Sequence, residues 1–319
     1  MKYPIAASFC LLFLASATMM AQEETSLPVA SPEEIADVGD LAPITLDVTR
    51  VNLLFTVTDK KGRFVNDLLK EDFEVRENKK VQDILEFTAE SDLPLRLAIL
   101  VDTSNSVRDR FRFIQEAAID FIHAAVRRGK DKAAVMSFDS QATLAVTLSD
   151  KISEMDAAVQ RMRPGGGTAL YDAIYLSAQE LMTEQPRDKF RRAIIVLSDG
   201  EDSLSYYSRE QALEMAQKAD LVIYTISTNV LRGQTGGDKV LKRFAEETGG
   251  DSFFPFKVED MQQSFANIAN ELRHQYNLLY RPNPLVADGK YHPIEVRVKL
   301  SKDLLVRARK GYYAPEPIE

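Results

Sequence analysis

The run Leu97–Val101 is apolar at every position and stops abruptly on a carboxylate, Asp102. Such a run reads as a buried strand. The residues that follow, Asp102-Thr103-Ser104-Asn105-Ser106, put two serines at alternating positions shortly before a helical pattern begins. In an open α/β sheet, ligands bind at the carboxyl ends of the strands. A carboxylate and two hydroxyls at such an end suit a small hard cation, because magnesium takes oxygen ligands and keeps several waters. Taken alone, the same letters also fit an ordinary polar strand-to-helix turn. The reading therefore depends on what the rest of the chain brings to that edge.

From Leu93 onward, apolar strands alternate with helical patterns, the signature of a parallel sheet. Phe111, Ile114, Ala118, Phe121 and Ala125 recur at helical spacing, with Gly129 as the expected stop. Ala133–Phe138 and Ala142–Leu148 are strands separated by too few residues for a parallel crossover, so they must form a hairpin and leave an antiparallel edge strand. Ser149 or Asp150 is the expected cap of a helix carrying Ile152, Met155, Val159 and Met162, which Pro164-Gly165-Gly166-Gly167 breaks. Thr168 opens the next helix, with Leu170, Ile174, Ala178 and Leu181 on its apolar face. A fully apolar strand, Ala193–Leu197, ends on Ser198-Asp199-Gly200. Ser208-x-x-Gln211 is a capping box, Leu221–Ile226 a strand, Gly249-Gly250 a helix stop, and Met261, Phe265, Ile268 and Leu272 mark a last amphipathic helix. The predicted fold class is α/β: a doubly wound, mostly parallel sheet with one antiparallel edge strand.

The flanks read differently. Ile44–Thr58, Asp72–Glu77 and Val81–Phe87 on one side, and Tyr276–Tyr280, Ile294–Leu300 and Leu304–Ala308 on the other, have strand character, with a polar turn at Asn78-Lys79-Lys80. Together the flanks comprise about a hundred residues, the size of one β-sandwich. The expectation is a β-sandwich-like domain built from both flanks (residues 44–92 and 275–319) with the α/β domain (93–274) inserted between them.

Residues 1–21 read as a secretory signal: Lys2, then the nearly all-apolar Ile5–Leu14, then the small-x-small Ala15-Ser16-Ala17, with cleavage after Ala21 as a second reading. Residues 22–43 are acidic, contain Pro28 and Pro32, and read as a flexible linker. No later segment is long and apolar enough to span a bilayer. The expected location is outside the cytoplasm, periplasmic or extracellular. The single cysteine, Cys10, falls inside the signal, so the mature chain folds on core packing alone. A net charge of -8 argues against a broad nucleic-acid footprint.

The serine-rich turn does not stand alone. Thr168 follows a glycine-rich loop, and Asp199 ends a second apolar strand that a doubly wound sheet would set beside the first. Asp102, Ser104, Ser106, Thr168 and Asp199 would then share one crevice. In these residues the chain resembles the von Willebrand factor A (VWA) family with its metal-ion-dependent adhesion site (MIDAS), whose motif is Asp-x-Ser-x-Ser, a distant Thr and a distant Asp. The flanks Val57-Thr58-Asp59, Glu71-Asp72-Phe73-Glu74-Val75 and Lys310-Gly311-Tyr312-Tyr313 resemble the secreted bacterial VWFA-related proteins common in acidobacteria. The resemblance implies a magnesium or manganese ion, with calcium as the alternative. Ser104 and Ser106 would bind it directly, Thr168 directly in a ligand-competent state, and Asp102 and Asp199 mostly through water. It also implies a protein partner that offers a carboxylate to the ion.

The competing readings are an enzyme and a structural subunit. A Ser/His/Asp triad needs an imidazole near Ser104 or Ser198, whereas His123, His274 and His292 are scattered. A dinucleotide site needs Gly-x-Gly-x-x-Gly where this chain has Asp-Thr-Ser-Asn-Ser, and Gly165-Gly166-Gly167 lacks the lysine of a phosphate loop. The chain therefore reads as a non-enzymatic binding protein. A subunit of an envelope complex acting through the β domain is the first alternative and a hydrolase the weaker one. Mature protein from the native host is expected to begin near Thr18 or Gln22. An intact Met1 on soluble cytoplasmic protein, read by mass spectrometry, would remove the export reading.

Overall fold

The computed structural model describes residues 50–316 apart from 90–92, 183–189, 230–232, 256–257 and 300–302, so the signal and linker lie outside the described residues. In chain order the first flank contributes β1 (Val51–Thr58), β2 (Phe73–Glu77), β3 (Lys80–Gln82) and β4 (Ile84–Thr88). The middle of the chain contributes β5 (Leu95–Asp102), α1 (Phe111–Ala125), β6 (Lys132–Phe138), β7 (Ala142–Ser149), α2 (Ile152–Arg161), α3 (Leu170–Met182), β8 (Arg191–Ser198), α4 (Arg209–Lys218), β9 (Val222–Ser227), α5 (Gly236–Thr248), β10 (Ser252–Phe253) and α6 (Val258–Glu271). The second flank contributes β11 (Tyr276–Tyr280), β12 (Tyr291–Val298), β13 (Leu305–Ala308) and β14 (Gly311–Tyr313). Among the described residues no helix is long and apolar enough to cross a membrane.

The central sheet has the order β10-β9-β8-β5-β6-β7. All its pairings are parallel except β6 with β7, the expected antiparallel edge. Alternation along β5 explains why its run is apolar throughout. Leu95, Leu97, Ile99 and Val101 pack with α1, α2 and α6, whereas Ala98 and Leu100 pack with α3, α4 and α5. A strand covered by helices on both faces has no polar face to spare. The same holds for β8, which is buried along its whole length beside β5.

Local signals hold at α4 and α5 and fail at α1 and α2. Ser208 and Gln211 cap α4 reciprocally, and Gly249 closes α5 in the left-handed region at φ 87°. By contrast, α2 starts at Ile152 with Lys151 at its N-cap and no side-chain cap. It begins too late for Ser149 or Asp150. Ser149 Oγ accepts from the Lys151 amide at 3.1 Å, and Asp150 Oδ2 from the Gly129 amide at 3.1 Å. Gly129 does not end α1 either. The helix stops at Ala125 when the buried Val126 turns extended, and Gly129 sits in a later turn at φ 73°.

The flanks join. β1 lies between β11 and β13, all antiparallel, in a sheet of order β13-β1-β11-β4, while a second sheet has the order β14-β12-β2-β3. Leu53, Phe55 and Phe73 from the first flank share one core with Tyr276, Leu278 and Val296 from the second. Strands that precede the α/β segment thus pair with strands that follow it in both sheets. The segment Val81–Phe87, expected as one strand, is divided. Asn78 and Lys79 at positive φ make a two-residue hairpin from β2 to β3, and the chain then crosses to the other sheet as β4. β14 was not expected at all.

A buried carboxylate locks the foot of the α/β unit. Asp131 accepts hydrogen bonds from the Leu95 amide (2.8 Å), the Arg127 amide (3.0 Å) and guanidinium (2.9 Å), and Arg273 Nη2 (2.8 Å). Burial alone would raise its pKa, but these donors outweigh burial and hold the carboxyl well below the usual range. A depressed folded-state pKa stabilises above the unfolded value, near 3.9, and that contribution fades as the pH falls further. Asp131→Asn is expected to cost roughly 3 kcal/mol at pH 7. The difference from the parent should narrow below about pH 4. Urea midpoints at both pH values check this, and a pH-independent difference would contradict it.

Candidate metal centre

β5 and β8 are neighbours, paired up to Val101 and Leu197, so Asp102 and Ser198 leave the sheet side by side. Asp102 holds both its own turn and the adjacent strand end. Its Oδ1 accepts from the Ser104 amide at 2.8 Å, the short loop geometry that Asp side chains favour, and its Oδ2 accepts from Ser198 Oγ at 2.6 Å. Ser104 is thereby turned into an extended conformation ahead of a 3-10 turn, Asn105–Arg110, and its Oγ lies 2.9 Å from Ser106 Oγ.

The glycine-rich loop comes alongside through its backbone. The Gly165 amide donates to the Thr103 carbonyl at 2.7 Å, and the Asn105 amide donates to the Gly166 carbonyl at 3.2 Å. Gly166 sits at φ 75°, a conformation that a side chain would strain. This loop delivers Thr168, 6% exposed, to the same edge. The Thr168 amide donates to Ser203 Oγ at 3.1 Å, and its carbonyl accepts from the Ser203 and Leu204 amides. Asp199 follows Ser198, half-buried, with Oδ1 accepting from the Glu201 amide at 3.1 Å. Gly200 is at φ 81°, and a Cβ there would strike the Gly237 carbonyl, so only glycine lets this loop lie against the start of α5.

Hydrogen bonds thus draw together the segments that carry Asp102, Ser104, Ser106, Thr168 and Asp199. Ser198 and Ser203 are part of this framework and had been given no role from sequence. A serine directly before the terminal aspartate of a buried strand was the available signal for Ser198. Glu201 and Asp202 have structural partners instead: Glu201 accepts from the Gly237 amide, and Asp202 from the Tyr171 amide and the Ser205 hydroxyl.

Asp102 has no solvent exposure, and among the described residues no lysine, arginine or histidine forms an ion pair with it. Burial pushes its carboxyl up to about 6, opposed by the hydrogen bonds from Ser198 and Ser104 and aided by the charge of Asp199. No group of three or more His, Cys, Asp or Glu gathers among the described residues, so the donor set here is mainly hydroxyl. The histidines are engaged elsewhere: His123 with Asp156 on the surface, His274 with the Asn270 carbonyl, and buried His292 with Glu77.

Comparison with known proteins agrees with this architecture. The family model described as von Willebrand factor type A domain matches residues 97–271. No curated protein matches the chain. Among solved structures, a von Willebrand factor type A protein from Catenulispora acidiphila aligns over 85% of this chain and 75% of its own, with TM-score 0.50 and 13% identity. The PilB minor pilin of Streptococcus sanguinis aligns over 58% of this chain with TM-score 0.47 and 13% identity, and the chain spans only 62% of that pilin's length. Proximal thread matrix protein 1 of the mussel byssus, solved with a zinc-occupied MIDAS motif, aligns over 60% of this chain and 48% of its own, with TM-score 0.47 and 18% identity. At 13% identity the likeness to the Catenulispora acidiphila protein is one of fold. The family match spans more than half of the chain, and the chain belongs to the von Willebrand factor type A domain family.

Proposed function

We propose that the chain is an exported, non-enzymatic binding protein that holds a divalent cation, magnesium or manganese, at Asp102, Ser104, Ser106, Thr168 and Asp199 and uses it to bind an acidic group on a protein partner. The observation that carries this reading is the pairing of a fully buried Asp102 carboxylate, lacking a cationic partner among the described residues, with two hydroxyls 2.9 Å apart. Adjacent ligands on an ion with bonds of roughly 2.0–2.1 Å lie about 2.9 Å from each other. The hydrogen bond between the serine hydroxyls therefore holds them at a spacing that two ligands of one magnesium ion would also have. The donor chemistry agrees, since hydroxyls and a pair of carboxylates suit hard, oxygen-seeking cations.

In this reading Ser104 and Ser106 bind directly through their hydroxyls, and Thr168 joins them directly in the state that has engaged the partner. Asp102 keeps its oxygens on the Ser104 amide and the Ser198 hydroxyl and contributes charge, with Asp199, mostly through water. The bound ion supplies an electrophilic position that a partner carboxylate completes, because few anionic groups of the chain touch it. Export rests on the N-terminal signal pattern.

Asp102→Ala is expected to weaken magnesium binding most, by roughly 10–100-fold, since it removes both the charge and the support of Ser104. Ser104→Ala should cost less, because water replaces one hydroxyl. Thr168→Ala should reduce partner binding more than metal binding. The fold should survive all three, as the positions lie at strand ends. Calorimetry on the folded variants decides this, and equal magnesium affinity in the parent and Asp102→Ala would leave the site without a cation role.

A further inference from the structure

The loop that follows Asp199 carries apolar side chains outward where a polar loop would be expected. Leu204 is 54% exposed and Tyr206 is 87% exposed. Among the described residues the other apolar side chains more than half exposed, Leu69, Val81 and Leu305, belong to the β unit. The Leu204 amide donates to the carbonyl of Thr168, and the Thr168 amide donates to Ser203 Oγ, so this loop is fastened to a candidate ligand. Leu204 also rests on Gly167, where a Cβ would lie 2.5 Å from its Cδ1.

The backbone of the loop is pinned to α3. Asp172, in the first turn of α3, accepts from the amides of Tyr206 (3.0 Å) and Tyr207 (2.8 Å), and its own amide donates to Ser205 Oγ at 3.1 Å. Tyr207 stacks on Tyr175 with ring centroids 3.7 Å apart, and Tyr206 stands edge-on to Tyr207 at 5.3 Å. Apolar side chains on a loop whose backbone is already fixed cost less ordering on binding than those on a free loop. Tyrosine in that setting is a frequent anchor of protein interfaces.

We propose that Leu204 and Tyr206 form a fixed apolar shelf beside the cation, and that the partner segment carries a leucine-sized or aromatic side chain next to the carboxylate that meets the ion. The proposal rests on the ion-bridging reading above and adds to it the identity of the neighbouring contact. The carboxylate supplies attachment at the cation, and the apolar neighbour supplies selectivity among acidic segments.

The test pans a displayed library of peptides, with a central Asp or Glu and random flanking positions, on the full chain with magnesium present, and elutes with chelator. The expected result is enrichment of Leu, Ile, Phe, Tyr or Trp beside the acid. On Tyr206→Ser, chelator-sensitive binding should persist without that enrichment, and the best peptide should bind about tenfold more weakly. Leu204→Ser should act in the same direction, and magnesium affinity measured alone should be unchanged in Tyr206→Ser. Chelator-sensitive binding with random flanks, or the same enrichment on both variants, would overturn the shelf and leave the ion bridge standing. No chelator-sensitive binding on the parent chain would overturn both.

Discussion

The hydrogen bond from Ser198 to Asp102, 2.6 Å long and shielded from water, ties the carboxyl ends of the two central strands to each other. The other oxygen of Asp102 shapes the turn that presents Ser104, and through Ser104 the position of Ser106. The Gly165 and Asn105 backbone bonds then dock the Thr168 loop against that turn. Burying a carboxylate in this way is unfavourable unless charge or strong hydrogen bonds compensate it, and its acidity is shifted accordingly. A divalent cation would supply the missing compensation. The arrangement of the site therefore rests on one buried carboxylate at the end of β5.

At the opposite side of the α/β unit, the β unit is joined to it by buried charge. Glu271, at the end of α6, accepts from Thr56 on β1 (3.3 Å), Tyr224 on β9 (3.2 Å) and Arg307 on β13 (2.6 Å). Arg307 also pairs with Asp251. Arg191, at the start of β8, donates to the carbonyls of Leu272 and Gln275, which lead into β11. Removing one member would strand a buried charge, so the insertion is held by groups that cannot be exchanged one at a time.

Much of this was legible from sequence because apolar periodicity reports burial directly. The all-apolar β5 and β8, the β6–β7 hairpin, the Ser208–Gln211 cap and the β character of both flanks all follow from local pattern. What was not legible depended on distant partners. Asp150 went to the Gly129 amide, leaving α2 uncapped by side chain, and Val81–Phe87 was shared between two sheets, its start pairing with β2 and its end with β11. Of the site, the ligand-type residues were visible as a spaced motif. Ser198 and Ser203, which orient them, carry no period and acquire their roles only when strands distant in sequence meet. The Glu271–Arg307 tie was silent for the same reason.

The central claim is that Ser104 and Ser106 stand ready to share one ion. The most direct measurement is anomalous diffraction from crystals of the full chain grown with manganese. The account predicts a single strong peak at about 2.0–2.2 Å from both serine hydroxyls, with Asp102 still bonded to Ser198. An empty density between Ser104 and Ser106 at saturating manganese, or a peak held only by surface carboxylates, would contradict it.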